Sequence, residues 1–473
     1  MIADDDNPGN PTRPPVLVNG KMTDGSNNQI IIALMRNKTN FIFKNIFFQG
    51  VSIDKRQEDD NSAITIGGDS IRLTVEKCVF NALGMQNIVM WGKGNKFYIR
   101  DNIFRNGVRA HPFKGQIISN SGAMYQDTLI MTNNTSFNNN SYFWAPLSAV
   151  VRYEKIEHNT LYSSVVNVFY SPWMVNSEIK SNLFYGMLAY GQTQTEVDGG
   201  WYDFNKSLSS IISINKASAF QLGLHGFTEG GRKINVSNNT YFWPQKIKDN
   251  WTSLGVIASD LWMNTRTAGY FNDKTNYPNL LASNNISTDP GFDAQMETIV
   301  MDSLVNWVKN FRTKNISTYR NYNVGSTNLL LPAWPLPENL AYSNLQMKTA
   351  GHDGLPVGDL NWFPEAKRKW DELNSTGTGI YNRKADNQGM KLTCFPNPVS
   401  HSTTISFNLT RNEIILVRIL NLQGKEVAKI VEGSLEQGLH SCQFDVSGLT
   451  SGVYVCQLIS GEHSEKIKLI IAK

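Results

Sequence analysis

One short phrase recurs along the first 300 residues and restricts the fold more than any other feature: alternating apolar residues, one or two polar residues, an Asn or a substitute, then an apolar or aromatic pair. It reads Phe41-Ile42-Phe43-Lys44-Asn45-Ile46-Phe47, then Leu73-Thr74-Val75-Glu76-Lys77-Cys78-Val79-Phe80, then Phe97-Tyr98-Ile99-Arg100-Asp101-Asn102-Ile103-Phe104. It returns at Asn134, Asn159, Asn182 and Asn239. Counted on the Asn position, the steps from 45 to 77, 102, 134, 159 and 182 are 32, 25, 32, 25 and 23 residues, and 239 to 285 is 46, or twice 23. A step of this length with three period-2 segments is one coil of a parallel β-helix, such as Ala63 to Ile66, Ile71 to Val75 and Cys78 to Phe80. Burying about six apolar side chains gains roughly 10 to 18 kcal/mol, whereas ordering about 23 residues costs roughly 25 to 45 kcal/mol. A lone coil cannot fold, so the coils must stack and share ladder hydrogen bonds and a continuous core. The Asn suits a bend, because it tolerates left-handed angles and its amide can bond the Asn of adjacent coils. The longer steps read as loop insertions on one face, and Asn-x-Ser/Thr matches such as Asn134-Thr135-Ser136 fall on the bend phrase and read as structural.

Beyond residue 295 the pattern changes. Val300, Met301, Leu304, Val305, Val308 and Phe311 have helical spacing, which predicts an amphipathic helix lying over the open end of the stack. An irregular aromatic stretch after it predicts a cap or a return along the side of the coils. Residues 374–390 read as a linker, and 391–473 as short alternating strands with Gly, Asn and Pro turns, a small antiparallel β-sandwich. The expected division is thus 1–20, an incomplete N-terminal fragment; 21–295, the β-helix; 296–373, the cap; then linker and sandwich. A net charge of +4, spread thinly, excludes a nucleic-acid stripe. No run of 18 apolar residues is present to span a bilayer as a helix. Four cysteines show no metal-ligand spacing; three fall in the last 80 residues, where buried thiols or a bridge are both open. The expected assembly is a monomer.

Residues 20 to 295 resemble the pectate-lyase-like superfamily of right-handed β-helices, on the repeat length and the Asn-plus-aromatic phrase. The tail carries Pro396-Asn397-Pro398, Asn421 and Gly424, then Gly448, Gly452 and Tyr454, ahead of an apolar-basic terminus. In order and content these motifs resemble the C-terminal sorting domain of the type IX secretion system of Bacteroidetes-type bacteria. Leu420 stands where that family usually has an aromatic residue. The resemblance implies export by an outer-membrane machine to the surface of a Gram-negative cell or beyond. Such export begins with a signal peptide, and Met1 to Asp6 lacks one, so a further N-terminal stretch is expected.

β-helix lyases need an Arg or Lys base and a cation, often calcium; glycosidases need paired carboxylates. Arg109 and His111, in a basic insertion with Arg105 and Lys114, and Arg152 beside Glu154 are the base candidates, against a reading as salt-bridged surface. Asp54, Glu58, Asp59 and Asp60 form an acidic loop that could take calcium or simply be solvated. Trp144, Trp173, Trp201 and Tyr202 could stack on sugar rings, or anchor loops. His225 and Glu229 would make a metal pair only on a helix, which four neighbouring glycines oppose. No metal site and no certain cofactor follow. Two readings stay open: an exported carbohydrate-active β-helix, lyase or hydrolase, and a non-catalytic adhesive or glycan-binding surface protein.

Overall fold

The computed structural model describes residues 13–473 except 58–59, 109–110, 121, 123–124, 148, 202, 204, 316–318, 375–391, 410–411, 422–424 and 461–462. The chain divides into two compact units, 1–376 and 377–473. All but the first residue of the predicted linker lies outside the described residues.

The first unit is a right-handed parallel β-helix of three sheets. In each complete coil the chain passes from a five-stranded sheet (Ile30–Leu34 to Trp144–Ala145) to an eight-stranded one (Asn40–Lys44 to Leu280–Ser283). It then turns into a nine-stranded one (Val16–Val18 to Ile286–Ser287). All pairings are parallel and put like positions in columns. Phe48, Phe80 and Phe104 are in register, and their rings stack at 4.7 and 4.8 Å inside the coil. In the eight-stranded sheet the inward column Leu73, Phe97, Leu129 continues into Glu154 and Ser177 before returning to Ile234.

The bend between the eight- and nine-stranded sheets divides two jobs between consecutive residues. The first takes a left-handed backbone: Asn45, Lys77, Asp101, Asn133, His158, Ser181, Asn238 and Asn284 all have φ between 51° and 58°. The second forms the amide column. Asn102, Asn134, Asn159, Asn182 and Asn239 each donate Nδ2 to Oδ1 of the next Asn up the stack, at 2.9 to 3.0 Å, ending on Asn285. Each Nδ2 also reaches a carbonyl of the preceding coil, as Asn182 does to Ile156. The amides from Asn102 to Asn239 are thereby paired. Asn45 is accordingly one residue out of the column, which Ile46 and Cys78 occupy in the first coils; the expectation that Asn45 lines up with Asn102 is corrected.

The five-stranded sheet stops at Trp144–Ala145, and the later coils carry excursions with helices at Gln194–Asp198, Ala219–Gly223, Gln245–Leu254 and Thr265–Asn272. The expected amphipathic helix is Ala294–Lys314, but it lies along the flank rather than over the end. Tyr185 Oη donates to Glu297 at its start, and Arg312 near its end donates to the Tyr190 and Gly191 carbonyls. Its apolar stripe is thus spent on the sides of the coils.

From there the chain returns along the outside of the nine-stranded sheet. Arg320 bonds Asn138 and Asn140, Glu338 pairs with Arg105, and the Leu329 carbonyl accepts from Gln49 near the first coils. Asp359 then accepts from Thr135 Oγ1 at 2.7 Å, and a helix follows at Pro364–Asn374. This strap covers polar outer positions of that sheet and bonds Arg105, Asn138 and Thr135 among them.

The second unit is a sandwich of a three-stranded sheet (Thr393–Phe395, Ser402–Leu409, Gly438–Asp445) and a four-stranded one (Glu413–Leu420, Glu426–Leu435, Gly452–Ser460, His463–Ile471), all antiparallel. Ile405, Phe407, Val417, Ile419, Leu458 and Leu469 fill the space between them.

Candidate functional site

The strap covers the outside of one long sheet and leaves the eight-stranded sheet open. Alternation turns three rows of side chains outward there, a mixture of charged, Thr and aromatic residues. Arg72, Lys96 and Thr128 make one row; Thr74, Tyr98 and Ile130 the next; Glu76, Arg100 and Thr132 the third. The carboxylates at this sheet each have a cation already: Lys44 on Glu76 at 2.9 Å, Lys96 on Asp127 at 3.6 Å, Lys155 on Glu157 at 2.5 Å, Lys180 on Glu178 at 2.6 Å. Arg72 lies 4.1 Å above the ring of Tyr98, with Arg100 at 5.6 Å, so an aromatic plane sits among guanidinium groups. The surface is basic and aromatic, with its acids neutralised.

At the corner where the five-stranded sheet turns into this one, three further groups meet. Tyr125 directly precedes the strand Gln126–Thr132; Arg152 is exposed on Val151–Glu157, its guanidinium 5.8 Å from the Tyr125 ring. His225 packs its ring 4.9 Å from Tyr125. The excursion that carries it is pinned by Leu222, which shares a small core with Val150, Val175 and Ala217. Partial burial, and then the Arg152 charge, hold the His225 imidazole below its ordinary value, so it is neutral at neutral pH. A neutral imidazole beside a guanidinium and a phenol can take a proton while a cation steadies the resulting anion.

A second cluster sits where the strap crosses the bend column. His158, fully buried, places Nε2 3.0 Å from Asp353; His352 places Nε2 2.9 Å from Glu157 and Nδ1 2.9 Å from Ser181 Oγ. His158, His352 and Asp353 offer ligand atoms within 4.8 Å of one another. Two imidazoles suit zinc and similar ions better than calcium, which prefers oxygen alone.

The sequence candidates scatter. Arg152 and His225 come together, and Trp173 packs half-buried against the same small core, whereas Glu229 is turned to Arg232 at 2.7 Å. Trp144 is a correction: it is fully buried, and its indole donates to Glu154 at 2.7 Å inside the coil, so it cannot meet a sugar. Glu154 is interior too, taking donors from Ser171 and Ser177 as well; burial pushes its carboxyl up. Arg105 is buried as well, but on the outer side of the nine-stranded sheet, where the strap covers it and Glu338 pairs with it. His111 lies in the loop on the other side of the five-stranded sheet, 6.0 Å from Phe311, apart from Arg152. Trp201 is 64% exposed after the Gln194–Asp198 helix. Arg109, Tyr202, Glu58 and Asp59 lie outside the described residues. Asp54 of the acidic loop is taken by Lys21 at 2.8 Å, which opposes a calcium role. Tyr98 and Tyr125 escaped the sequence reading, as did the His158 cluster, whose members are 194 residues apart.

The tail motifs are structural knots. Asn397 binds the last strand twice, donating to the Lys468 carbonyl at 2.6 Å and accepting from Ile470 N at 2.8 Å, between Pro396 and Pro398. Asn421 closes a turn by accepting from Lys425 N; Gly424 lies outside the described residues. Gly448 occupies the turn before the strand opened by Gly452, and Tyr454 Oη donates back to the Thr450 carbonyl at 3.0 Å.

Comparison with known proteins agrees with the tail. Residues 393–472 match the family of secretion system C-terminal sorting domains. Export by the type IX route, to the cell surface or the medium, follows, and no helix among the described residues is long and apolar enough to cross a membrane. No curated protein matches the chain. Among solved structures, the endo-beta-1,4-mannanase from Thermotoga petrophila aligns at 12% identity over 51% of this chain and 40% of its own, with a TM-score of 0.13, a likeness too slight to carry an argument.

Proposed function

We propose that the exported β-helix, of pectate-lyase-like type and working as a monomer at the surface of a Bacteroidetes-type bacterium, binds anionic polysaccharide along its eight-stranded sheet. The supporting observation is the open face itself: Arg72 and Arg100 stand over Tyr98, while the neighbouring carboxylates Glu76 and Asp127 are paired with Lys44 and Lys96. Coils repeat every ~4.8 Å along the stack, so a linear acidic polymer laid along it meets Arg72 and, one coil on, Arg100, before the uncharged Thr128, Ile130 and Thr132. Tyr98 supplies a plane for a sugar ring. The test is retention on immobilised polygalacturonate and alginate against a neutral mannan. Retention confined to the acidic polymers and falling with salt is expected; equal retention on mannan, or none on any, would sink the reading.

A second reading, cleavage of the bound polymer by proton abstraction, is favoured by Tyr125, Arg152 and His225 at the corner of the same sheet. Ultraviolet absorbance of unsaturated products, followed with and without calcium, separates the two. A flat trace in both conditions, with binding intact, leaves the binding function alone.

A further inference from the structure

Three of the four cysteines lie in the sorting-domain sandwich, and all are free thiols here. Cys394 is on the edge strand of the three-stranded sheet, and Cys442 on its other outer strand, with Ile405 in register between them. Cys456 is on an inner strand of the facing sheet, beside Ile419. Cys394 and Cys456 are buried in the core shared by the two sheets, and Cys442 packs at its margin. Across that core the Cys394 and Cys456 side chains meet, whereas the Cys442 thiol turns aside to the Ile405 carbonyl at 3.6 Å. Two thiols in contact between two sheets, in a chain bound for an oxidising compartment, are a disulfide awaiting an oxidant.

We propose that the exported chain carries a Cys394–Cys456 disulfide that ties the two sheets of the sorting domain together, with Cys442 left as a thiol. The oxidant is a dithiol–disulfide exchange protein of the cell envelope. Cys394 is the first nucleophile, because it lies on an edge strand whereas Cys456 is on an inner strand of the facing sheet. The Cys394 thiolate attacks one sulfur of the oxidant's disulfide and expels the other as a thiolate. Cys456 then gives up its proton and displaces the oxidant from the mixed disulfide. One S–S bond is made in this chain and one is broken in the oxidant, which leaves as a dithiol carrying both protons. Position on a sheet edge gives the oxidant its access, by local opening of a three-residue strand. Closing the loop from Cys394 to Cys456 removes conformations from the unfolded tail and so raises its stability.

The full chain, directed to the periplasm and alkylated at harvest in denaturant, is the material for the test. Two of the four cysteines, Cys78 and Cys442, should be alkylated without reduction and all four after it, with a linked peptide pair containing Cys394 and Cys456 in the mass spectrum. Four alkylated cysteines without reduction, or a bridge that includes Cys442, would overturn the proposal. Cys442→Ser should keep the bridge, and Cys394→Ser or Cys456→Ser should abolish it. Reductant should lower the melting temperature of the tail in the parent chain and leave it unmoved in the Cys394→Ser/Cys456→Ser double variant; an equal shift in both would also count against the bridge.

Discussion

The eight- and nine-stranded sheets are drawn from the same coils, strand after strand in the same parallel register, yet their outer rows are disposed of in opposite ways. On the nine-stranded side Asn81, Arg105, Asn138 and Thr135 point out of the coil and would be a polar surface, but the strap from residue 319 onward bonds Arg105, Asn138 and Thr135, and Asn81 accepts from Arg105 beneath it. On the eight-stranded side Arg72, Lys96 and Tyr98 point out, and none of the described segments is laid across them. Polar residues on a coil are therefore not evidence of a site until it is known which flank is covered. The covered flank spends its polarity on stability and the open one keeps it for a partner, so substitutions on the two should separate those quantities.

The largest effect belongs to the covered flank. Arg105 and Glu338 are both fully buried and meet at 2.8 Å, so Arg105→Ala leaves a carboxylate without its cation in the interior. A loss of ~3–5 kcal/mol is expected, read as a lower urea midpoint of the first unit. Asn159→Ala, in the bend column that serves both flanks, comes next. It strands the Met131 carbonyl and the amide of Asn134, at ~2–4 kcal/mol. Should either variant unfold at the parent's midpoint, the strap or the column is decoration.

Asp359 sharpens the same contrast through pH. Buried under the strap, its carboxyl is raised from the ordinary 3.8 to about 6, chiefly by desolvation. The folded chain therefore holds this proton more tightly than the unfolded one. The stability gained is complete below pH ~4 and lost as pH rises through about 6. Asp359→Asn, which cannot ionise, should be more stable than the parent at pH 7 by up to ~3 kcal/mol and should match it near pH 4. Urea midpoints measured at both values decide it; an equal gap at both would show that charge burial is not the cause.

Sequence periodicity made the coils legible because stacking repeats the same inward residues at each step, and Asn102, Asn134, Asn159 and Asn182 carried the register. It misplaced Asn45 by one because the bend uses two consecutive polar positions, one for backbone angle and one for the amide chain, and the first coils fill the second with Ile46 and Cys78. Trp144 looked like a sugar platform because aromatic content does not tell inside from outside on a two-residue strand; its partner Glu154, on the strand Val151–Glu157, was read as surface because a carboxylate is seldom buried. Arg152 and His225 were visible as residue types, but their meeting at Tyr125 depends on an excursion of the later coils folding back across the corner. Nothing local in the sequence encodes that return, nor the approach of His352 to His158.

The smallest expected change in stability is on the open face, and it is the one that tests function. Arg72 is exposed and meets Tyr98 in a cation–π contact at 4.1 Å, an interaction worth ~0.5–1 kcal/mol where water is present. Arg72→Ala should shift the urea midpoint by no more than that, because no buried group loses a partner. On acidic polysaccharide the same substitution removes a cation from the row that would track the polymer and frees the ring it steadies, so retention should fall several-fold, and further with Lys96→Ala added. Arg72→Lys should recover part of the loss through charge alone, because a lysine restores attraction without the planar stack. If Arg72→Ala lowers stability as much as Arg105→Ala and leaves retention unchanged, the open flank is as structural as the covered one and the binding function must be sought elsewhere.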